Sequence, residues 1–481
     1  MDLQEIIAQR KNKVNLLRDK GIEPYALALK ERLSVKQAVD NFQEGGSVAL
    51  AGRIIAKRAH GKANFLDIRD GTAKIQVYIK EEIVGSEKFA LFESLDIADF
   101  IAVKGELFKT RTGEITVKAA DLFILSKALR PLPEKWHGLK DVEIRYRRRY
   151  LDLITNQQVR EVFLTRSRII ALIREFLDKR GYLEVETPMM HPIPGGARGR
   201  PFKTHHNEYD LELYLRIAPE LYLKRLIVAG LDKVYEINRS FRNEGVSTQH
   251  NPEFTMLEVY TAYADYKDMM DLTREMFTFI AGEIFGKNEL VYQGKRVDLS
   301  TWEEVSFAKV MKERFGINPQ DRLEEWLKKL KEKNIAVEPD NTSQVSRSLV
   351  VNLIADLITP QSDHPVFVTD LFTELCPLAK TRRDNPLLTE RFELFICGIE
   401  LANAYSELND PQEQKSRLEA ELKDMPAEEN KNIDEDFITA LEHGMPPAGG
   451  LGIGIDRLVM LFTDQPSIRD VILFPLLRPE R

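Results

Sequence analysis

The sequence predicts an α+β protein in two parts, a small β-barrel near the N-terminus followed by a larger unit of helices and apolar strands. Three observations carry this. Five short β-rich runs follow one another between about 47 and 126, with turn signals between them. From about 154 onward, amphipathic helical stretches alternate with β runs that lack regular βαβ spacing. A length of 481 residues, at ~150 per domain, exceeds one ordinary domain.

Residues 1–40 read as one or two helices, with Ile6, Ile7, Val14, Leu16 and Leu17 set among Arg10, Lys11, Lys13, Arg18 and Lys20 and with Gly21 as a stop. Either a solvated amphipathic helix or an arm that contacts nucleic acid fits that pattern. The runs SVALAGRIIAKR, ANFLDIRD, KIQVYIK, FIAVKGELFKT and EITVKAADLFIL, punctuated by Asp70-Gly71 and Thr112-Gly113, suit five strands of an OB-type barrel. Such barrels bind single-stranded nucleic acid by stacking bases on aromatics within a basic groove. Phe65, Tyr78, Lys57, Arg58, Lys109 and Arg111 supply the residue types, while core packing competes for each aromatic. The stretch 128–153 carries two prolines and then Arg145, Arg147, Arg148 and Arg149, which predicts a first domain over 1–145, a linker over 146–153 and a second domain over 154–481. The charged segments 320–335 and 411–431 read as solvated helices.

Composition excludes several classes. Hydrophobic residues at 43% and charged residues at 30% describe a globular chain, not a disordered or collagen-like one. Two cysteines, Cys376 and Cys397, are too few for a zinc cage or a disulfide framework and fit a reducing compartment. The first twenty residues are charged throughout and no run approaches the ~18 apolar residues of a membrane helix, so a cytoplasmic protein is expected. A net charge of -7 means that any nucleic-acid contact must use local basic patches.

Three clusters carry chemistry. Arg242, Glu244, His250, Asn251, Glu253, Phe254, Glu258 and Tyr260 fall on two apparent strands joined by the loop NEGVSTQHNP, and the spacing of two puts Glu258 and Tyr260 on one face. Glu393, Glu400, Asn403, Tyr405 and Glu407 lie among Phe, Leu, Ile and Cys, where acidic groups must meet a cation, either a metal or an ammonium. The third is GMPPAGGLGIGIDRLVMLF (444–462), whose glycines permit close backbone approach and whose Arg457 opens an apolar helix. It lacks the strand–turn–helix setting of a dinucleotide site, and the chain has neither a P-loop nor a GxSxG elbow.

These motifs resemble those of class II aminoacyl-tRNA synthetases. GYLEVETP (181–188), FRNE (241–244) with HNPEF (250–254), and GIGIDR (452–457) are similar to the family's three ordered motifs. GGARGRPF (195–202), RIAPELYLKR (216–225) and NAYSELNDP (403–411) resemble the lysine-specific branch, lysyl-tRNA synthetase of the bacterial type in subclass IIb, over essentially the whole chain. Gly199 stands where bacterial relatives usually carry Ala, and Ala404-Tyr405 where many carry Gly-Phe.

The resemblance implies an OB-fold anticodon domain ahead of a catalytic domain built on an antiparallel sheet flanked by helices. It implies a homodimer whose interface includes residues 162–181 and the strand before Pro188. Its substrates are L-lysine, ATP and tRNA(Lys), with Mg2+ as cofactor and no membrane partner. Arg242 and Arg457 are then the catalytic cations, and Arg242, Glu244, His250, Asn251, Phe254, Glu393 and Arg457 form the ATP site. Gly196, Glu220, Arg242, Glu258, Tyr260, Asn403, Tyr405 and Glu407 form the lysine pocket, with Glu258, Tyr260 and Glu407 at the side-chain ammonium. Glu393 and Glu400 hold Mg2+. Lys57, Arg58, Phe65, Gln76 and Glu114 meet the anticodon. An aspartate pocket would need a cation where Glu258 and Glu407 sit, and none of the assigned motif residues supplies one.

Overall fold

The computed structural model describes the chain except for residues 1, 28, 61–62, 134–140, 198, 338–344, 425–431 and 481. Two compact units result, 1–140 and 141–481.

In the first unit, β1 (Ser47–His60), β2 (Ala63–Arg69), β3 (Lys74–Ile79), β4 (Phe100–Lys109) and β5 (Ile115–Ser126) close into a barrel in the order β1-β2-β3-β5-β4. Alternate apolar residues, among them Leu50, Ile54, Leu66, Val77, Val103 and Val117, fill its interior. β4 and β5 approach so closely that a Cβ on Gly105 would lie 2.1 Å from the Lys118 carbonyl oxygen, and the register shifts there. The helix Leu3–Asp19 starts on an Asp2/Glu5 capping box. It buries Ile7, Arg10, Val14 and Leu17, so its apolar stripe is a packing face and not a free arm. Behind it, Lys127 is fully buried between Asp96 (2.5 Å) and Asp99 (2.6 Å).

The second unit begins earlier than the sequence suggests. Residues 146–153, expected as linker, belong to the helices Val142–Arg147 and Arg149–Thr155. Arg149 is fully buried; it bonds Asp152 at 2.8 Å and the carbonyls of Arg469 and Leu473 at 2.7 and 3.1 Å. The basic cluster therefore anchors the C-terminal segment of its own unit. The segment 134–140, expected at the end of the first domain, lies outside the described residues.

β6 (Leu183–Glu184) leads into a three-stranded sheet of β7 (Met190–His191), β8 (Lys203–His206) and β9 (Leu211–Leu215). There follow β10 (Lys233–Phe241), β11 (Glu253–Ala262) and the hairpin β12 (Glu289–Tyr292) with β13 (Lys295–Asp298). Then come β14 (Glu303–Ser306), β15 (Val366–Thr369), β16 (Arg391–Ile396), β17 (Ile399–Ser406) and β18 (Ala448–Gly454). The main sheet has eight strands in the order β14-β15-β16-β17-β18-β11-β10-β6. Its interior pairs are antiparallel as expected, but both edge pairs, β14·β15 and β10·β6, are parallel, which makes the sheet mixed.

Alternation assigns the two faces of this sheet. Leu257, Val259, Leu394, Ala402, Ala404, Leu451 and Ile453 point to the main core, under the helices Gln157–Asp178, Tyr266–Phe285 and Ile455–Phe462. Their neighbours in sequence, Glu258, Tyr260, Glu393, Asn403 and Tyr405, take the opposite face. The charged helix Leu323–Glu332 is not wholly solvated, because Trp326 and Leu330 are buried in a satellite core. The other charged segment is helical over Pro411–Asp424, and 425–431 lies outside the described residues. No helix among the described residues is long and apolar enough to cross a membrane.

Arg149→Leu removes the buried guanidinium from Asp152 Oδ2 and from the Arg469 and Leu473 carbonyls, while Asp152 Oδ1 keeps Arg145 and Asn156. The expected loss is about 3–5 kcal/mol of stability in the second unit, measured by denaturant unfolding. A loss under 1 kcal/mol would show that the anchor is dispensable.

Candidate active site

The site is organised by register. Across the middle of the sheet Asn403 opposes Gly452, which opposes Glu258; one step along, Tyr405 opposes Gly450, which opposes Tyr260. The central strand thus places no side chain between the two flanking rows. A Cβ on Gly450 would lie 1.8 Å from Glu407 Oε1 and 2.8 Å from Tyr260 Cε1. Two cavities open on this face, of about 910 Å³ and 1740 Å³, and share Arg242, Met256, Glu400, Asn403 and Gly452.

The smaller cavity is lined by Arg242, Glu244, His250, Asn251, Phe254 and Arg457. Arg242 leaves the end of β10 with its guanidinium 5.2 Å from the Phe254 ring, and its Nε is buried without a hydrogen-bond partner among the described residues. That is a donor awaiting an anion. A Cβ on Gly199 would meet Arg242 Cδ at 3.0 Å, so the glycine at 199 gives this side chain room; Arg198, in the same matched stretch, lies outside the described residues. Arg457 donates to the Glu400 carbonyl at 2.9 Å and its carboxylate at 3.2 Å, and lies 3.1 Å from His250 Nε2. A guanidinium cannot accept, so His250 accepts at Nε2 and donates from Nδ1 to Ser247 Oγ at 2.9 Å. Burial and then the Arg457 charge hold the His250 pKa below its ordinary value, consistent with the neutral ring. Neighbouring Asp456 points inward, where it accepts from Arg166 at 2.6 Å and from the Thr255 amide at 2.7 Å.

The larger cavity is acidic at depth. Glu258 is buried with only the Tyr260 hydroxyl donating to it, at 3.2 Å, among the described contacts. Burial, then the Glu220 charge, raise its pKa well above the ordinary value. Glu407 is 1% exposed and meets a buried ammonium at its Oε2. Gly196 adopts φ +87 with its backbone packed on the Glu220 Cβ.

Sequence reasoning missed Lys224. It lies one turn after Glu220 on the helix Glu220–Val228, fully buried, 2.8 Å from Glu220 Oε1 and 2.5 Å from Glu407 Oε2. The expectation that no cation sits beside Glu407 is therefore corrected. The signal was the i,i+4 pair Glu220/Lys224 on an otherwise apolar helix, a spacing usually assigned to a solvated surface. Lys224 does not reverse the sign of the pocket. Glu220, Glu258 and Glu407 face two fixed cations, Lys224 and Arg242, while Arg391 pairs with Glu393 and Arg457 with Glu400. Counted over these described side chains, one positive charge is wanting.

Glu400 lines both cavities, whereas Glu393 lies opposite Asn403 across the β16–β17 hairpin, paired with Arg391 at 2.6 Å, and lines neither. No cluster of three or more metal-ligating side chains exists among the described residues. Two carboxylates fit Mg2+, which commonly takes its remaining ligands from water and phosphate oxygens.

On the barrel, Phe65 and Tyr78 pair across β2 and β3 with centroids 5.3 Å apart, and Gln76 is bonded to Glu114 at 3.2 Å. Arg58 forms a two-pronged pair with Asp67. Lys57 departs from expectation. Its ammonium is turned onto the carbonyls of Phe92 and Leu95, both at 2.8 Å, and burial pushes it down to about 8. It pins the C-terminal end of the helix Ser86–Ser94 and is not presented to a phosphate.

A family model described as class II tRNA synthetases (D, K and N) matches residues 141–478, and one described as an OB-fold nucleic acid binding domain matches 48–125. The chain is 54% identical to the lysine–tRNA ligase of Carboxydothermus hydrogenoformans over 99% of both proteins. It is 54% identical to that of Pelotomaculum thermopropionicum, over 99% of this chain and 96% of the relative, and 51% identical to that of Moorella thermoacetica, over 99% and 98%.

A carboxyl whose folded-state pKa is raised reduces stability at any pH above its unfolded value, and the penalty vanishes as pH falls to that value. Glu258→Gln should therefore raise the thermal midpoint of the unliganded protein at pH 8 by on the order of a few degrees. The gain should shrink towards pH 4.5 and be lost below it, where Glu258 is protonated in both states. A lower midpoint at pH 8 would contradict an unpaired buried carboxylate.

Proposed function

The chain belongs to the class II tRNA synthetases and, among them, to the lysine–tRNA ligases, and from that premise we propose how its joined cavities activate L-lysine with ATP and pass the lysyl group to tRNA(Lys). The observation that carries the reading is Glu258, a buried carboxylate with no cationic partner among the described residues, in a cluster whose described charges fall one positive short. Lysine at neutral pH has two ammonium groups and one carboxylate, and its net single charge meets that deficit. An aspartate or asparagine side chain would leave Glu258 and Glu407 buried against an acid or a neutral amide.

Activation is attack of the lysine carboxylate oxygen on the α-phosphorus, with the diphosphate leaving from the opposite side. Negative charge accumulates on the phosphoryl oxygens, and preorganised cations are the economical remedy. Arg242 stands where both cavities meet, and its unpartnered Nε suits a fork that bridges the carboxylate and the α-phosphate. Arg457, turned for now to Glu400, is the second catalytic cation and takes the far phosphates. Phe254 offers a face to the adenine ring, while Glu244, His250 and Asn251 line its surroundings. Glu393 and Glu400 would hold Mg2+, which when bound draws off phosphate charge.

In the amino-acid pocket the Gly196 backbone and Glu220 receive the α-ammonium, and Asn403 the carboxylate. Tyr405 lies along the methylenes, and Glu258, Tyr260 and Glu407 receive the side-chain ammonium. On the barrel, Phe65 stacks an anticodon base, Gln76 and Glu114 read base edges and Arg58 contacts the backbone; the Phe65–Tyr78 pair beside the polar Gln76–Glu114 pair supports this. A homodimer is supported by Leu164, Leu183, Met189 and Met190, all exposed on or beside the elements of the expected interface.

Diphosphate exchange into ATP, run across the amino acids, should be stimulated by lysine alone; stimulation by aspartate, or by nothing, rejects the assignment. In the same assay Glu258→Gln should raise the KM for lysine on the order of 100-fold with little change in that for ATP. Equal shifts in both would remove Glu258 from the ammonium site. Phe65→Ala should lower tRNA charging about tenfold while sparing exchange, in proportion to one lost stacking contact. An unchanged charging rate would refute that stacking role.

A further inference from the structure

Lys224 is a cation buried behind the wall of a pocket built for a cation, and that placement demands a reason. A fully desolvated ammonium is unfavourable unless paired, and it repels an incoming ammonium. Among the described residues its partners are two site carboxylates, Glu220 at 2.8 Å and Glu407 at 2.5 Å, with the Tyr405 ring centroid 5.6 Å away. Those carboxylates come from separate elements, the first turn of the helix Glu220–Val228 and the residue that follows β17. Lys224 therefore ties the helix wall of the pocket to the sheet floor through the two residues assigned to opposite ends of the substrate. Burial and then the Glu220 charge raise the pKa of the Tyr405 hydroxyl, a group that a phenylalanine at 405 would lack.

We propose that Lys224 is a positioning and specificity-determining residue for amino-acid activation, holding Glu220 and Glu407 at a fixed spacing and cancelling one of the three buried negative charges they make up with Glu258, so that with Arg242 the group is short of a single cation. The inference rests on the reading of this cavity as the lysine pocket. Glu258 stays outside the clamp and remains the open acceptor.

Without the clamp, three carboxylates share one dry site. The groups that face Lys224 and its partners are Glu220 on its own helix, Tyr405 and Glu407 at the end of β17, and Glu258 and Tyr260 on β11, with Cys376 beside Glu220. Like charges this close cannot all remain ionised, so the site takes up protons. Lysine then binds only by expelling them, and binding weakens as pH falls. In the intact pocket burial alone would lower the Lys224 ammonium, but Glu220 and Glu407 overcome it and keep the group charged. Glu407 is raised by burial, with Lys224 opposing that rise.

The test is lysine-dependent ATP–diphosphate exchange between pH 6.5 and 9 with the full-length wild type, Lys224→Met and Lys224→Arg, alongside thermal midpoints. Lys224→Met keeps length and removes charge. It should raise the KM for lysine by about 30-fold or more at pH 7, with the KM for ATP nearly unchanged. Its lysine KM should also fall more steeply with rising pH than the wild type's, by up to about tenfold per pH unit for each extra proton expelled. Lys224→Arg keeps the charge and changes the spacing, so its lysine KM rises while its pH slope stays that of the wild type; it serves equally if Lys224→Met does not fold. A merely structural lysine would lower the thermal midpoint and move both KM values together with no change of slope, and that outcome overturns the proposal. So does an unmoved lysine KM in Lys224→Arg. Failure of the pocket reading is distinguishable, because the wild type itself would then show no lysine-dependent exchange, and the proposal would fall with it.

Discussion

Strand β18 carries glycine at 449, 450, 452 and 454, and the site occupies the space those absent side chains leave. On the site face Gly450 and Gly452 sit between Tyr405 and Tyr260 and between Asn403 and Glu258. On the core face a Cβ at 449 would meet Asp265 O and Met269 Cγ, both at 2.9 Å, so the same economy of atoms lets the helix Tyr266–Phe285 approach. Each glycine in a strand loses ~0.5–1 kcal/mol relative to alanine. Leu451 and Ile453, set between them and buried in the main core, offset that loss. Alternation of period two thus builds a packed floor with one set of residues and an empty trough with the other.

A trough is useful only if its walls keep their distance, and buried charge fixes those distances here. Asp456 joins three segments, accepting from Arg166 on the long helix and from the Thr255 amide on β11 while beginning the helix that carries Arg457. Phe254 and Arg457 are each one residue from a member of that lock, so packing positions the nucleotide side without any ligand present. Lys224 performs the corresponding task on the amino-acid side. Glu258 is the exception, a carboxylate buried without a counter-ion among the described residues. It is the local instability that a site accepts so that its substrate, and not a protein side chain, completes the charge balance.

Much of this was legible in the sequence, because strands with one buried face repeat every second residue and the motif residues obey that period. The barrel runs, the hairpin of Arg242 and Glu258 and the glycine strand all followed from local pattern. What escaped was non-local. The arginines of 145–149 follow a proline-rich stretch and read as a linker, yet Arg149 is buried by carbonyls that arrive some 320 positions later. Lys57 reads as a groove cation, yet its four-carbon stem reaches the end of a neighbouring helix. Lys224 looks like the solvated half of a helical ion pair until β17 brings Glu407 against it. Long cations are the residues whose role a sequence conceals best, since stem and head can serve different surroundings.

Rigid charge spacing also decides how well the pocket tells lysine from its shorter homologue. One methylene in an apolar channel changes binding by only ~1–3 kcal/mol, which is weak discrimination. A shorter side chain bound with its α-ammonium at Glu220 would hold its second ammonium short of Glu258 and Glu407, leaving buried carboxylates incompletely paired. That penalty adds to the missing methylene, because an unmet buried charge is more costly than an unmet apolar contact. It applies only if the acidic end cannot follow the retreating ammonium. Gly450 admits the Glu407 carboxylate into its place, and Lys224 holds it there. In this chain, selection by length is therefore a property of the residues behind the acceptors as much as of the acceptors themselves.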